Sequence, residues 1–334
     1  MKNTIAIASF LISFGFLAAV QADIVNPLRS QGDYNAIIFG DLVKTGTGDA
    51  EGYVAVGGDL TVDGNFSVGH LRKSGSSVPN NAALVVGGTI TNNGAWEVKG
   101  SAYYGNLEGR AFTYTNGYGE RLDNNPIDFS KLESDIRQFS SSLSQLEQTS
   151  GVSTDFNQWN KSIKVTGGGD QVLNINLSDI SGMNGYGNYF DHVFNGLSIN
   201  GGYDNLIINI FGDLEGLNEL TIFYGFNQND KYYTDNLLLN LINIDVLNVY
   251  NTEVFANIVG VDTHVNLYTS SINGTAVFAS ADLDSGSEFH NSYQYEGEHD
   301  MPPSVATPEP ASMLIVGLGF GALPFVRRLR RKSA

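Results

Sequence analysis

Apolar residues run along this chain in short blocks that end on glycine. Ala36-Ile37-Ile38-Phe39-Gly40-Asp41-Leu42 is followed by Val54-Ala55-Val56-Gly57-Gly58-Asp59-Leu60 and by Leu84-Val85-Val86-Gly87-Gly88-Thr89-Ile90. Ile208-Asn209-Ile210-Phe211-Gly212-Asp213-Leu214 is a later relative. Each phrase is a β-rich run, a glycine corner and a second apolar start. Such units, at intervals of roughly 20–30 residues, predict the stacked coils of a β-solenoid. Glycine at the corner supplies positive φ or room for the neighbouring coil. An antiparallel β-sandwich with glycine-rich hairpins is the alternative that the pattern leaves open. Leu237–Val249 is almost continuously apolar, punctuated by Asn240, Asn243 and Asn248. In stacked coils these amides are expected to bond the backbone of the next coil and satisfy corner groups.

One segment has a different period. Phe129, Leu132, Ile136, Phe139, Leu143 and Leu146 recur at alternating steps of three and four, which predicts a helix over about residues 130–148. Ser130-x-x-Glu133 reads as its capping box, and Gly151 follows its end. The stripe covers too few heptads for a coiled coil. Its apolar face is therefore expected to lie along the β body.

Apolar stretches at the two termini read as targeting segments. Met1–Ala22 has a basic start at Lys2, an apolar core and small residues before a cut expected after Ala22. An uncleaved anchor is the rival reading. At the other end, Pro308-Glu309-Pro310 precedes the uncharged run Ala311–Val326, and then come Arg327, Arg328, Arg330, Arg331 and Lys332. The run holds 16 residues, a little short of the roughly 20 that a full span takes. Leu329 and snorkelling arginines extend it, with the positive cluster stopping on the cytoplasmic side. Pro308 and Pro310 hold the preceding site extended. A plain tail anchor is the rival reading here. The expected organisation is a signal peptide over 1–22, a β body over 23–298, a linker over 299–307, and a tail over 308–334 with its membrane segment at 311–326.

Charge narrows the partners. The chain has 35 acidic and 18 basic residues. Setting aside Lys2, the five basic residues of the tail and Glu309 leaves 34 acidic against 12 basic over residues 23–307. So acidic a surface repels phosphate backbones, and no nucleic-acid partner is expected. Cysteine is absent. Thiol catalysis, cysteine-ligated zinc and iron–sulfur clusters are excluded, and stability must come from packing and hydrogen bonds.

Catalytic patterns are weak. The five histidines, His70, His192, His264, His290 and His299, form no His-Glu-x-x-His, and no Gly-x-Ser-x-Gly elbow occurs. Gly167-Gly168-Gly169-Asp170 lacks the Lys-Ser/Thr of a phosphate cradle and reads as a tight corner or linker. Glu288-x-His290 fits a metal or acid–base pair, or a turn pair closing the last coil; the second is preferred. Asp282, Asp284 and Glu288 could place oxygens around a calcium ion, although they lack the EF-hand order. No other cofactor is expected.

Two resemblances carry function. Pro-Glu-Pro, apolar span and terminal arginine cluster together resemble the PEP-CTERM sorting signal of Gram-negative bacteria. That resemblance implies processing by an exosortase-type peptidase, and delivery to the cell surface or extracellular matrix after passage through the inner membrane. In the body, the phrases Tyr34–Leu42, Asp49–Gly58, Phe66–Gly69, Leu84–Gly88, Pro126–Phe129, Ile272–Ala279 and Glu288–Asn291 resemble the choice-of-anchor A family, an adhesive-domain family. It implies a fold similar to the ice-binding-like discontinuous solenoids, with one α-helix packed alongside. It brings no catalytic residues. The expected function is a non-catalytic adhesive or structural role, with extracellular polysaccharide or surface proteins as partners. A polysaccharide-acting enzyme on a β-helix scaffold is the first alternative, and an ice-binding protein is the second. Thr89-Ile90-Thr91 is an isolated Thr-x-Thr, where an ice-binding face calls for regular ranks.

Overall fold

Among the described residues, eighteen strands hydrogen-bond into one continuous sheet. The computed structural model describes residues 26–30, 34–69, 81–115, 119–156, 162–180, 198–212, 218–223 and 235–290, all within the unit Ile24–Asp300. A short helix α1 (Pro27–Ser30) leads into β1 (Tyr34–Ile38), β2 (Leu42–Ala50), β3 (Tyr53–Val56), β4 (Leu60–Val68), β5 (Ala82–Asn92), β6 (Glu97–Val98), β7 (Ser101–Gly109) and β8 (Thr113–Tyr114). Helix α2 (Phe129–Ser144) follows. Then come β9 (Val152–Asp155), β10 (Ser162–Val165), β11 (Asp170–Asn176), α3 (Leu177–Ile180), β12 (Ser198–Asn200), β13 (Asn205–Phe211) and β14 (Glu219–Phe223). The last group is β15 (Leu237–Ile242), β16 (Val246–Tyr250), β17 (Glu253–Val254), β18 (Asn257–Tyr268), β19 (Ser271–Asn273), β20 (Ala276–Leu283) and β21 (Glu288–His290). β9, β10 and β12 form a separate three-stranded sheet.

The pairings of the large sheet are parallel and fall into three stacks. The first runs β11-β13-β15-β18-β20-β1-β3-β5-β7. The second runs β14-β16-β18-β20-β2-β4-β5-β7. The third runs β17-β19-β21-β2-β4-β6-β8. Long strands bend from one stack into the next. A coil advances 18 residues where nothing is inserted, as from Leu42 to Leu60 and from Ile258 to Ala276. This is the β-solenoid that the glycine-ended phrases predict, not the sandwich. It is also discontinuous: β1 lies between β3 and β20, so the first coil rests on the last.

The sequence pattern explains which strands go where. Strands of the first stack are buried on both sides, as in β1, β3 and β15, so they read as unbroken apolar runs. One side faces the core. On β13, β15 and β18 the other meets α2, whose Leu132, Ile136, Phe139 and Leu143 are buried. Strands of the second stack cover the core with one face only. There Leu42, Val62 and Ile90 point inward and Val43, Thr61 and Thr91 outward.

The recurrent Gly-Asp and Gly-Gly phrases are corner devices. Asp59 donates its backbone N–H to Asp41 Oδ1 at 2.8 Å, and Thr89 donates its own to Asp59 Oδ1 at 2.7 Å. Each carboxylate thus caps the corner of the following coil. A Cβ on Gly58 would overlap the Asp41 carboxylate, and one on Gly88 would overlap that of Asp59.

Three local expectations change. The helix spans Phe129–Ser144, and its N-cap is Asp128, whose Oδ1 accepts from the Lys131 N–H at 3.0 Å. Asp128 takes the cap because its short carboxylate reaches that amide. Glu133, the supposed box partner, instead pairs with Arg137 at 2.8 Å. The asparagines divide the work differently from the expectation. Asn240 bonds side chains and the helix, Asn243 turns a corner at φ 55°, and Asn248 bonds Glu219 and Asn266. Asn257 spans coils through backbone, donating to Leu237 O and accepting from the Thr275 N–H, and Asn35 and Asn92 also donate to backbone carbonyls of neighbouring coils. Gly167, Gly168 and Gly169 make the turn from β10 to β11, as read.

Candidate functional site

Outward positions of the second stack line up because parallel strands in register place like positions side by side. Val246, His264 and Ser280 form one row, Asn248, Asn266 and Asp282 the next. Tyr250 and Tyr268 form a third, with rings stacked 4.5 Å apart and 4° from parallel. Hydrogen bonds tie the rows together. Asn266 donates to Asn248 Oδ1 at 2.9 Å, and Asn248 to Glu219 Oε1 at 2.5 Å. His264 lies 2.7 Å from Ser280 Oγ through Nδ1 and 3.0 Å from Asn266 Oδ1 through Nε2. Asp282 Oδ2 is 3.7 Å from the same Nε2. The result is a polar and aromatic platform, half exposed and held rigid from below by Leu247, Val249, Val265 and Leu267.

The corner between the second and third stacks holds a buried cation. Lys44 points inward from β2 in a ladder position otherwise taken by Leu283 and Val62. Its Nζ donates to Thr45 O at 2.8 Å, Thr47 O at 3.0 Å and Asp284 O at 2.6 Å. Burial pulls the Lys44 pKa down to about 8, against the raising pull of the Asp284 and Glu288 carboxylates. No pattern in the sequence distinguishes this lysine from a solvated one.

The three carboxylates expected to share a calcium ion are each engaged separately. Asp282 sits in the outward row beside His264. Asp284 Oδ1 accepts from the Thr269 N–H at 2.9 Å and from Ser287 Oγ at 3.0 Å, closing a turn. Glu288 has moved round the corner into the third stack, where its Oε2 lies 2.7 Å from His290 Nε2. The ligating atoms that gather within 4.8 Å belong to Asp49, Glu288 and His290 instead. Ala22, Pro308, Glu309, Pro310, Arg327, Arg328, Arg330, Arg331 and Lys332 lie outside the described residues, as do His70, His192 and His299. Among the described residues, no helix is long and apolar enough to cross a membrane.

Comparison with known proteins gives one family and two structures. The family model described as "Putative Ice-binding-like adhesive domain" matches residues 27–291. A crystal structure of an ice binding protein from an Antarctic Biological Consortium aligns at 10% identity and TM-score 0.35, over 86% of this chain and 95% of that one. An ice-binding protein from the Antarctic ascomycete Antarctomyces psychrotrophicus aligns at 11% identity and TM-score 0.31, over 79% and 96%. No curated protein matches the chain.

Proposed function

The chain belongs to the ice-binding-like adhesive domain family, and from that premise we propose that it is an exported surface or matrix protein with a non-catalytic adhesive role. Its partners are extracellular polysaccharide or surface proteins. Within the family, its ordered phrases support a choice-of-anchor A member. The tail around Pro308-Glu309-Pro310 supports a PEP-CTERM signal, processed by an exosortase-type peptidase in a Gram-negative bacterium.

The observation that carries this reading is the outward platform of the second stack. The paired positions Asn248/Asn266 and Tyr250/Tyr268, one strand apart, with His264 hydrogen-bonded beside Asn266, present regularly spaced contacts to a repetitive ligand. Strand separation is about 4.8 Å, close to the scale of a sugar ring. Tyr250 and Tyr268 offer apolar ring surface with a polar tip, and the amides offer donors and acceptors. Purified protein is expected to bind extracellular polysaccharide from its own cells without cleaving it, and deletion of the gene to reduce attachment and floc formation. Unchanged attachment, with no polysaccharide binding, would sink the proposal. Turnover of a glycan would establish the enzyme alternative.

Ice binding is the other reading, which the family description supports as well; it calls for regular threonine ranks on the same face. The outward positions in register with Thr61 and Thr91 are Asp282, Val43 and Glu108. Thr61 and Thr91 are neighbours in this row, and Val43 and Glu108 flank them. A thermal hysteresis measurement separates the two readings.

A further inference from the structure

The seam between the first and last coils carries a second constellation, on the third stack and apart from the platform. Ala50 pairs with Phe289, and both are buried. Asp49, Glu288 and His290 alternate with them and point outward, half exposed, with their ligating atoms within 4.8 Å of one another. β2 supplies one of the three and β21 the other two, from opposite ends of the domain sequence.

The imidazole is oriented from behind. Asn273 pairs with His290 across β19 and β21. Its Nδ2 donates to Ser271 Oγ at 3.3 Å, which turns its Oδ1 toward His290 Nδ1 at 3.1 Å. Nδ1 therefore carries a hydrogen, and Nε2 is the nitrogen aimed at the carboxylates. A ligating histidine is commonly held in this way, its other nitrogen donating to an oxygen behind it. Nε2 faces Glu288 Oε2 at 2.7 Å. At that separation the two atoms need a positive charge between them, either the proton of an imidazolium or a bound metal ion.

We propose that Asp49, Glu288 and His290 bind a divalent transition-metal ion of the zinc type, which clasps the first coil to the last across the seam inside the solenoid. One imidazole and two carboxylates suit zinc better than calcium, which takes six to eight oxygens. A zinc ion about 2.0–2.2 Å from each donor needs Nε2 and Oε2 to part by several tenths of an ångström. Half-exposed side chains permit that. The fourth position is left to water. The clasp joins residue 49 to residues 288 and 290 in a chain with no cysteine. It supplies the long-range cross-link that an exported protein commonly takes from a disulfide.

The test uses the purified protein after chelator treatment, with zinc and calcium salts as probes. One equivalent of zinc is expected to bind, and at a hundredfold excess over Kd the melting temperature is expected to rise by about 5 °C. His290→Gln and Asp49→Asn should each abolish the rise, measured against the variant's own metal-free melting temperature. Calcium at the same concentration should leave the wild type unchanged. A wild type indifferent to zinc overturns the proposal, as does an equal response in both variants or a calcium response matching that of zinc. Polysaccharide binding by the platform does not depend on this outcome.

Discussion

The Asp41 carboxylate accepts the Asp59 backbone N–H at 2.8 Å and fills the space that a side chain on Gly58 would need. One residue thus explains two: aspartate caps the next coil's corner, and glycine must stand there to admit it. Gly58→Ala is expected to destabilise the domain by about 2 kcal/mol or more, as overpacking against fixed atoms does. Asp41→Ala should cost about 1–2 kcal/mol through the lost charge-assisted bond. The double variant should remain worse than Asp41→Ala alone, because the Gly40 backbone also crowds that Cβ. Urea unfolding of all three proteins checks this. Near-wild-type stability of Gly58→Ala would refute the steric account.

Helix α2 is docked by amides as well as by its apolar stripe. Asn174, Asn209 and Asn240 stand in register. Asn240 donates to Asn209 Oδ1 at 2.9 Å and Asn209 to Asn174 Oδ1 at 2.9 Å. The same three side chains reach the helix end at Ser140 O, Leu143 O and Leu146 O. Ser140 Oγ returns a bond to Asn240 Oδ1 at 2.6 Å. Asn240→Leu keeps the volume but strands buried partners, and should cost about 2–3 kcal/mol. Hydrogen exchange should show residues 129–144 losing protection before the coils do. Uniform loss across the domain would argue against a separately docked helix.

Local pattern made much of this legible. The glycine-ended phrases announced coils, and the steps of three and four from Phe129 to Leu146 announced the helix. The unbroken apolar runs marked strands later found buried on both sides. What escaped depends on distance in sequence. The pairing of β1 with β20 joins residues some 240 apart, and no local period encodes it. Asp282, Asp284 and Glu288 lie within seven residues, yet β20 ends at Leu283, Asp284 closes the turn and Glu288 starts β21 in the third stack, so the structure does not bring the three together. Asp49 could be joined to Glu288 and His290 only through the seam. Lys44 reads as a surface lysine until its register with Leu283 and Val62 turns it inward.

Lys44 sets a pH dependence. Its folded pKa of about 8 lies below the ordinary 10.5 because burial disfavours the ammonium. The unfolded chain therefore binds more protons between these values, and stability rises with pH across that window. Below about pH 8 both states are protonated and the penalty is present in full. A shift of this size corresponds to about 3 kcal/mol. Unfolding free energies measured from pH 7 to 10 should climb for the wild type. They should stay flatter for Lys44→Met, which cannot titrate. A wild-type curve parallel to that of Lys44→Met would show that the three carbonyls hold the ammonium as well as water does.

The stacked pair Tyr250 and Tyr268 offers the sharpest separation of function from fold. Their rings contact each other on the outward face, while the neighbouring Val249 and Leu267 fill the core. Removing one ring forfeits a cross-strand pair worth roughly 0.2–1 kcal/mol and leaves the core intact. If the platform grips polysaccharide, Tyr268→Ala should weaken binding about tenfold, equivalent to about 1.4 kcal/mol, with little change in melting temperature. Tyr268→Phe should retain most of the affinity if the ring surface carries the contact, and lose it if the hydroxyl does. Titrating each variant with the polysaccharide bound by the wild type distinguishes these outcomes. Unaltered affinity in Tyr268→Ala would move the adhesive surface off the second stack.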